Sequence, residues 1–229
     1  MQKIGILGGG QLGRMLLQAS ANYPVETFLM DNDPDGPAVH LCHNFVKGEI
    51  TNFDDVYNFG KNLDAITIEI ESVNEEALLS LEEKGVRLYP RSSALTTIKN
   101  KILQKQFYQA HEIPTGPFFV TENQSELHVH TGFFPAVHKI AQGGYDGRGV
   151  VEMNSAADID LGFDAPAILE KKIDIRKEIS VIIAVNELGE LAIYPLVEMI
   201  FDPILNMLNY QLSPAILEEK KYGGSKQSP

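Results

Sequence analysis

The segment Lys3-Ile4-Gly5-Ile6-Leu7-Gly8-Gly9-Gly10-Gln11-Leu12-Gly13 holds an apolar run that breaks abruptly into glycine. Residues 3 to 7 read as a short buried strand, and residues 11 to 22 carry Leu12, Met15, Leu16 and Ala19 at helical spacing. The order is strand, glycine turn, helix. Further strands are predicted at 25 to 30, 44 to 47, 65 to 70 and 86 to 89, with helices at 54 to 62 and 75 to 84. Strands alternating with helices pair through crossovers. The expected class is therefore α/β, with a parallel, doubly wound sheet over residues 1 to 90.

The pattern changes after residue 90. Residues 93 to 111 read as one lysine-rich amphipathic helix, with Leu95, Ile98, Ile102, Leu103 and Phe107 on its apolar side and Pro114 and Pro117 behind it. Short strands follow at 118 to 120, 136 to 140, 149 to 153, 167 to 170, 179 to 185 and 191 to 196. Asn186-Glu187-Leu188-Gly189 forms a hairpin turn between the last two. Residues 91 to 217 thus read as an α+β domain with an antiparallel sheet. Residues 220 to 229 hold no Ile, Leu, Val or Phe, and the tail from 218 to 229 is expected to fray.

Nineteen Lys plus Arg against thirty-one Asp plus Glu give a formal net charge of -12 over 229 residues. Such a field repels phosphate backbones and anionic lipid, so neither nucleic acid nor a membrane is an expected partner. A small anionic ligand is still allowed, because a local pocket of donors decides its binding. No apolar run approaches the roughly 18 to 20 residues of a membrane span. The opening residues lack a signal-peptide pattern, which makes the cytoplasm the expected compartment. One cysteine, Cys42, leaves no internal disulfide and suits a reducing environment.

Gly8, Gly10 and Gly13 make a G-x-G-x-x-G whose turn brings backbone close to a ligand and exposes helix amides. Asp31, eighteen residues after Gly13, matches the acidic residue of a dinucleotide fingerprint. Three readings stand: a dinucleotide site, another phosphate ligand, or a turn serving strand-helix packing alone. The loop Asn32-Asp33-Pro34-Asp35-Gly36 and the shortness of the domain speak against the dinucleotide. Glu69 and Glu71, two apart at the end of a predicted strand, would share one face at the ligand crevice and could bind hydroxyls or an amine. Otherwise they point to solvent.

A second glycine motif lies at Lys139-Ile140-Ala141-Gln142-Gly143-Gly144-Tyr145-Asp146-Gly147-Arg148-Gly149-Val150. A loop of this kind between strands can fold over a triphosphate, its amides donating to oxygens while Lys139 and Arg148 neutralise charge. The bland alternative is a structural hairpin. The run 143 to 149, together with Gly9-Gly10-Gln11-Leu12-Gly13-Arg14-Met15-Leu16, resembles the 5-(carboxyamino)imidazole ribonucleotide synthases, ATP-grasp carboxylases of purine biosynthesis. Asp31-Asn32-Asp33-Pro34, Thr67 to Glu71, Gln104-Lys105, Ile113-Pro114-Thr115 and Tyr194-Pro195-Leu196 support the resemblance, which covers residues 1 to 217.

The resemblance implies a parallel pre-ATP-grasp domain followed by an incomplete ATP-grasp domain. It implies a ligase that uses ATP and magnesium to carboxylate 5-aminoimidazole ribonucleotide with bicarbonate through carboxyphosphate, and a homodimer. Lys139 and the loop Gly144, Tyr145, Asp146, Gly147, Arg148, Gly149 and Val150 would hold the ATP phosphates. Glu170-Lys171-Lys172-Ile173 would be the adenine hinge, Glu178 the ribose ligand, and Lys101 a cation near the nucleotide. Gln11, Leu12 and Glu69 would touch the ribonucleotide. Lys139, Arg148 and Asp146 are the catalytic candidates, with Tyr145 and Asp146 reaching the second substrate from the loop tip.

Two departures matter. Phe201 stands where relatives often place a nucleotide-contacting His. The chain also stops before the part in which the family carries its magnesium carboxylates and a basic substrate segment. The 229-residue chain alone is therefore expected to bind without turning over, and no metal ligand is assigned to it. Rivals are a glycinamide ribonucleotide transformylase-like or biotin carboxylase-like ligase, a non-catalytic nucleotide-binding module, and a nicotinamide dehydrogenase. His128-x-His130 and His40-x-x-His43 lack neighbours at metal spacing and read as surface or loop histidines.

Overall fold

Five parallel strands, β1 (Gln2–Leu7), β2 (Val25–Asp31), β3 (Asn44–Lys47), β4 (Ala65–Ile68) and β5 (Arg87–Tyr89), form one sheet in the order β3-β2-β1-β4-β5. The chain moves outward through β2 and β3, then returns past β1 to β4. The carboxyl ends of β1 and β4 therefore border the crevice where a doubly wound sheet binds ligands. The computed structural model of the protein describes residues 1–144, 148–202, 205 and 207–217. Tyr145, Asp146, Gly147, Ile204 and the 218 to 229 tail lie outside the described residues. Two compact units result, Met1–Lys172 and Ile173–Pro229.

Strand alternation sends successive side chains to opposite faces of the parallel sheet. Ile6 and Leu29 meet Leu17 and Ala38 on one face, while Leu7, Met30 and Ile66 meet Val56, Ala77, Leu78 and Leu81 on the other. Three helices supply these layers: α1 (Gln11–Ser20), α2 (Phe53–Gly60) and α3 (Glu75–Glu83). Asn52 and Asn74 cap α2 and α3 by accepting from the Asp55 and Ala77 amides at 3.0 and 2.9 Å. α1 packs on an unexpected side. Leu12, Met15, Leu16 and Ala19 face outward, and the buried residues are Gly13 and Leu17. A Cβ on Gly13 would lie 2.7 Å from the Gly8 carbonyl oxygen, so close backbone approach selects the face.

The single helix expected over 93 to 111 is two, α4 (Ser92–Lys99) and α5 (Lys101–Ala110). Asn100 between them is extended, and its side chain caps α5 by accepting from the Ile102 and Leu103 amides. The Lys101 amide then donates to the Ala141 carbonyl at 2.9 Å instead of continuing α4. The buried residue of α5 is Lys105, whereas Leu103 and Phe107 are exposed.

Beyond α5, strands β6 (Phe118–Thr121), β7 (Ala136–Ile140), β8 (Val150–Met153) and β9 (Ala167–Lys171) form an antiparallel sheet ordered β6-β9-β7-β8. Leu127, Ala136, Met153, Ile159 and Leu169 make its core. Within the same sheet His138 is fully buried.

The second unit holds β10 (Glu178–Ser180), β11 (Ile183–Val185), β12 (Leu191–Ile193), β13 (Val197–Phe201) and β14 (Leu208–Leu212). β10, β13 and β14 form one antiparallel sheet, and β11 pairs with β12 across the expected 186 to 189 turn. The strand predicted over 179 to 185 is thus divided between two sheets, and the one predicted to reach residue 196 stops at Ile193. None of the described residues from 173 to 217 is buried, and Leu205 and Leu208 stand exposed.

Candidate active site

The first glycine turn is filled by the chain's own carboxylates. Asp31 at the end of β2 accepts from the Gly9 amide at 2.5 Å, and Glu69 just past β4 accepts from the Leu12 amide at 3.2 Å. Gly10 is needed for this, because a Cβ there would stand 2.7 Å from Glu69 Oε1. The amide of the first turn of α1, which the glycine pattern offers to a phosphate, is engaged by an anion already. A dinucleotide pyrophosphate at this turn would face two carboxylates, so the fingerprint here is a packing and carboxylate-holding turn. Glu69 is half-buried with its second oxygen against Gly8, an acceptor suited to hydroxyl or amine donors.

Glu71 does not join Glu69 on a strand face as the two-residue spacing suggested. β4 ends at Ile68, so strand alternation no longer governs either side chain. Glu71 is exposed and lines a cleft of about 390 Å³ with Glu75, Lys99, Lys101, Gly143 and Gly144. This cleft brings the end of the parallel sheet, the start of α5 and the base of the second glycine loop together. In it Lys99 is paired with Glu75 at 2.8 Å. Burial raises the Glu75 carboxyl, but hydrogen bonds from Lys99 and Thr96 outweigh it and leave the group below its ordinary value.

The loop rises from β7 and β8. The Ile140 amide donates to the Gly149 carbonyl at 2.9 Å and closes its base. Gly149 has φ of 74°, and a Cβ there would meet Ile140 Cγ2 at 2.5 Å, so no other residue fits without strain. Lys101 Nζ lies 3.5 Å from where a Gly144 Cβ would stand. Arg148 and Val150 lead out of the loop, and Tyr145, Asp146 and Gly147 fall outside the described residues.

Below the loop, Lys139 and Glu170 are diagonal neighbours on one face of β7 and β9 and pair at 2.8 Å. The other carboxylate oxygen of Glu170 binds Lys105, which also reaches the Thr115 hydroxyl and lies over the Phe118 ring. Burial pushes the Glu170 carboxyl up, yet the hydrogen bonds from Lys105 and Lys139 hold it below the usual carboxylate range. Lys105 did not emerge as a site residue from the sequence. Its signal was the i, i+4 spacing with Lys101, which puts both ammonium groups on one side of α5.

The hinge residues play uneven parts. The Lys171 and Lys172 amides donate to Pro117 and Pro135 carbonyls at 2.8 and 3.1 Å. The Lys171 ammonium caps the Phe133 and Phe134 carbonyls at 2.7 and 3.0 Å, and Lys172 pairs with Glu152. Ile173 and Glu178 belong to the second unit, where Glu178 opposes Met199 in the β10–β13 ladder. Phe201 closes β13.

Residues 1–99 match the ribonucleotide synthetase preATP-grasp domain, and residues 106–222 match the ATP-grasp domain. The chain belongs to the ATP-grasp family. Among ATP-grasp relatives, a phosphoribosylaminoimidazole carboxylase of Candida glabrata is 34% identical over 208 residues, which make up 86% of this chain and 36% of that protein. An N5-carboxyaminoimidazole ribonucleotide synthase of Synechococcus elongatus is 32% identical over 206 residues, 86% of this chain and 52% of that one. The solved N5-carboxyaminoimidazole synthase of Aspergillus clavatus, in complex with ADP and 5-aminoimidazole ribonucleotide, is similar with a TM-score of 0.77 and 30% identity. That likeness covers 89% of this chain and 55% of the Aspergillus chain. The chain therefore spans about half the length of such relatives, or less.

Magnesium is usually held by one or two carboxylates together with phosphate oxygens. Among the described residues no group of three or more His, Cys, Asp or Glu is placed to hold a metal ion. Glu170 and Glu69 are engaged by ammonium and amide donors. No helix among them is long and apolar enough to cross a membrane.

Proposed function

We propose that the protein carries out ATP-dependent carboxylation of 5-aminoimidazole ribonucleotide with bicarbonate, a step of de novo purine synthesis. The observation carrying this reading is the Lys139–Glu170 pair at the root of a glycine-rich loop, in a chain similar to a synthase solved with ADP and 5-aminoimidazole ribonucleotide. In this reading Lys139, Arg148 and the loop from Gly144 to Val150 hold the phosphates, Lys101 stands beside them, and Glu178 takes the ribose hydroxyls. Since the Lys171 and Lys172 amides are committed, adenine recognition by the hinge falls to its carbonyls and to Ile173.

A bicarbonate oxygen attacks the terminal phosphorus, the bond to the bridging oxygen breaks, and ADP departs. The resulting carboxyphosphate loses inorganic phosphate to deliver carbon dioxide. The substrate amine then forms the new nitrogen-carbon bond and releases a proton. Lys139 and Arg148 offset charge on the transferring group, since phosphoryl transfer asks for positioning and charge compensation above all. Tyr145 and Asp146 approach the second substrate from the loop tip. Gln11, Leu12 and Glu69 seat the ribonucleotide through its hydroxyls or amine, because the Glu69 carboxylate favours donors over a phosphate. A domain division near residue 90, a homodimer and a cytoplasmic location belong to the same reading.

Calorimetry on the chain tests it. ATP should bind, and Lys139→Ala should weaken it by about 1 to 3 kcal/mol, the range for a charge-assisted contact. Absent ATP binding together with tight binding of a reduced nicotinamide cofactor would overturn the reading.

A further inference from the structure

Lys105 is a buried ammonium in a helix whose exposed residues include Leu103 and Phe107. Burying a cation is costly unless partners compensate it. Its carboxylate partner, Glu170, also holds Lys139. Two ammonium groups thus share one carboxylate, each taking a different oxygen. If Glu170 served Lys139 alone, the pair would be neutral and Lys139 would have little charge to offer an anion. With Lys105 on the second oxygen, the triad carries one net positive charge, and the exposed member is Lys139, at 31% against 8% for Lys105.

We infer that Lys105 is a positioning residue that acts through Glu170 to keep the charge of Lys139 available to the nucleotide phosphates. Thr115 and the Phe118 ring fix the Lys105 ammonium in place. A Cβ on Gly116 would stand 3.0 Å from Glu170 Oε1, so the 115 to 116 backbone walls the carboxylate in. The inference rests on the reading of Lys139 as a phosphate ligand.

The test is the preference of the full chain for ADP over adenosine, measured by calorimetry with adenosine competed against ADP. Lys105→Met sets the triad charge to zero, the Lys105→Met/Glu170→Gln double variant restores one, and Glu170→Gln raises it to two. The preference should fall about tenfold in Lys105→Met, return to within threefold of the unsubstituted chain in the double variant, and rise in Glu170→Gln, as charge-assisted contacts require. Adenosine affinity should stay within about twofold in Lys105→Met, since it carries no phosphate charge, while in the two variants that alter the hinge residue Glu170 the preference itself is the readout. A scaffold role would weaken both ligands together and leave no rescue in the double variant, and that result overturns the inference. If Lys105→Met alone fails to fold, the double variant decides: an ADP preference like that of the unsubstituted chain supports the charge balance, and a reduced one overturns it. An unsubstituted chain that binds no ADP would instead overturn the proposed function, and the inference with it.

Discussion

His138 should make the protein acid-sensitive. The imidazole is fully buried in β7, where Nδ1 accepts from the Phe163 amide at 3.2 Å and Nε2 sits 3.0 Å from the Thr121 hydroxyl. Because Nδ1 accepts, Nε2 carries the proton and donates to Thr121. A second proton on Nδ1 would oppose the Phe163 N–H and charge a ring away from water. Burial accordingly lowers the His138 pKa from 6.5 to about 4. The unfolded chain then binds the extra proton first, so this contribution is complete above about pH 6.5 and is lost as pH falls toward 4. The whole shift is worth on the order of 3 kcal/mol. About 1 kcal/mol should be gone at pH 5.5 and about 2 to 3 kcal/mol at pH 4.5. Urea unfolding followed by far-ultraviolet circular dichroism, run on the protein and on His138→Gln, isolates the effect because other titrating groups cancel in the difference. The variant loses about 1 to 2 kcal/mol at pH 7 through imperfect hydrogen bonding, and the gap should narrow or reverse by pH 4.5. Parallel pH profiles, or a His138 ring resonance titrating near 6.5 in the folded protein, would refute the reasoning.

Gly10→Ala places a Cβ 2.7 Å from Glu69 Oε1 and displaces the carboxylate from the Leu12 amide. Calorimetry should then show weakened binding of 5-aminoimidazole ribonucleotide with ATP binding retained. Asn100→Ala removes the acceptor for two amides at the start of α5 and should cost about 1 kcal/mol of stability, read as a lower Tm. Because Lys101 begins at that cap, ATP affinity should fall as well, which a remote surface substitution would not cause.

Local pattern alone made the parallel unit legible. The strands of residues 2 to 89 and their intervening helices follow from apolar runs, glycine turns and helical spacing, because each depends on neighbours within a few residues. Parallel pairing follows too, since strands separated by helices need crossovers. The glycine loop at 143 to 149 was equally visible, as was Lys139 before it. What spacing did not reveal was which side of an element is buried. Leu12, Met15 and Leu16 looked like the packed stripe of α1, but the packed side is set by the close approach of Gly13 to the Gly8 carbonyl, a contact between elements. α5 is the sharper case, because its buried residue is a lysine and a hydrophobic count points away from it. Glu69 and Glu71 illustrate the same limit: they are two residues apart, yet the strand ends before them, and the Leu12 amide claims one while the cleft at Lys101 takes the other. Sequence determined which elements form and where glycine and charge concentrate, because those are short-range properties. Tertiary structure alone decided that Glu170 joins Lys105 to Lys139 across 65 and 31 residues of chain, because buried charges settle where a partner from another element can compensate them.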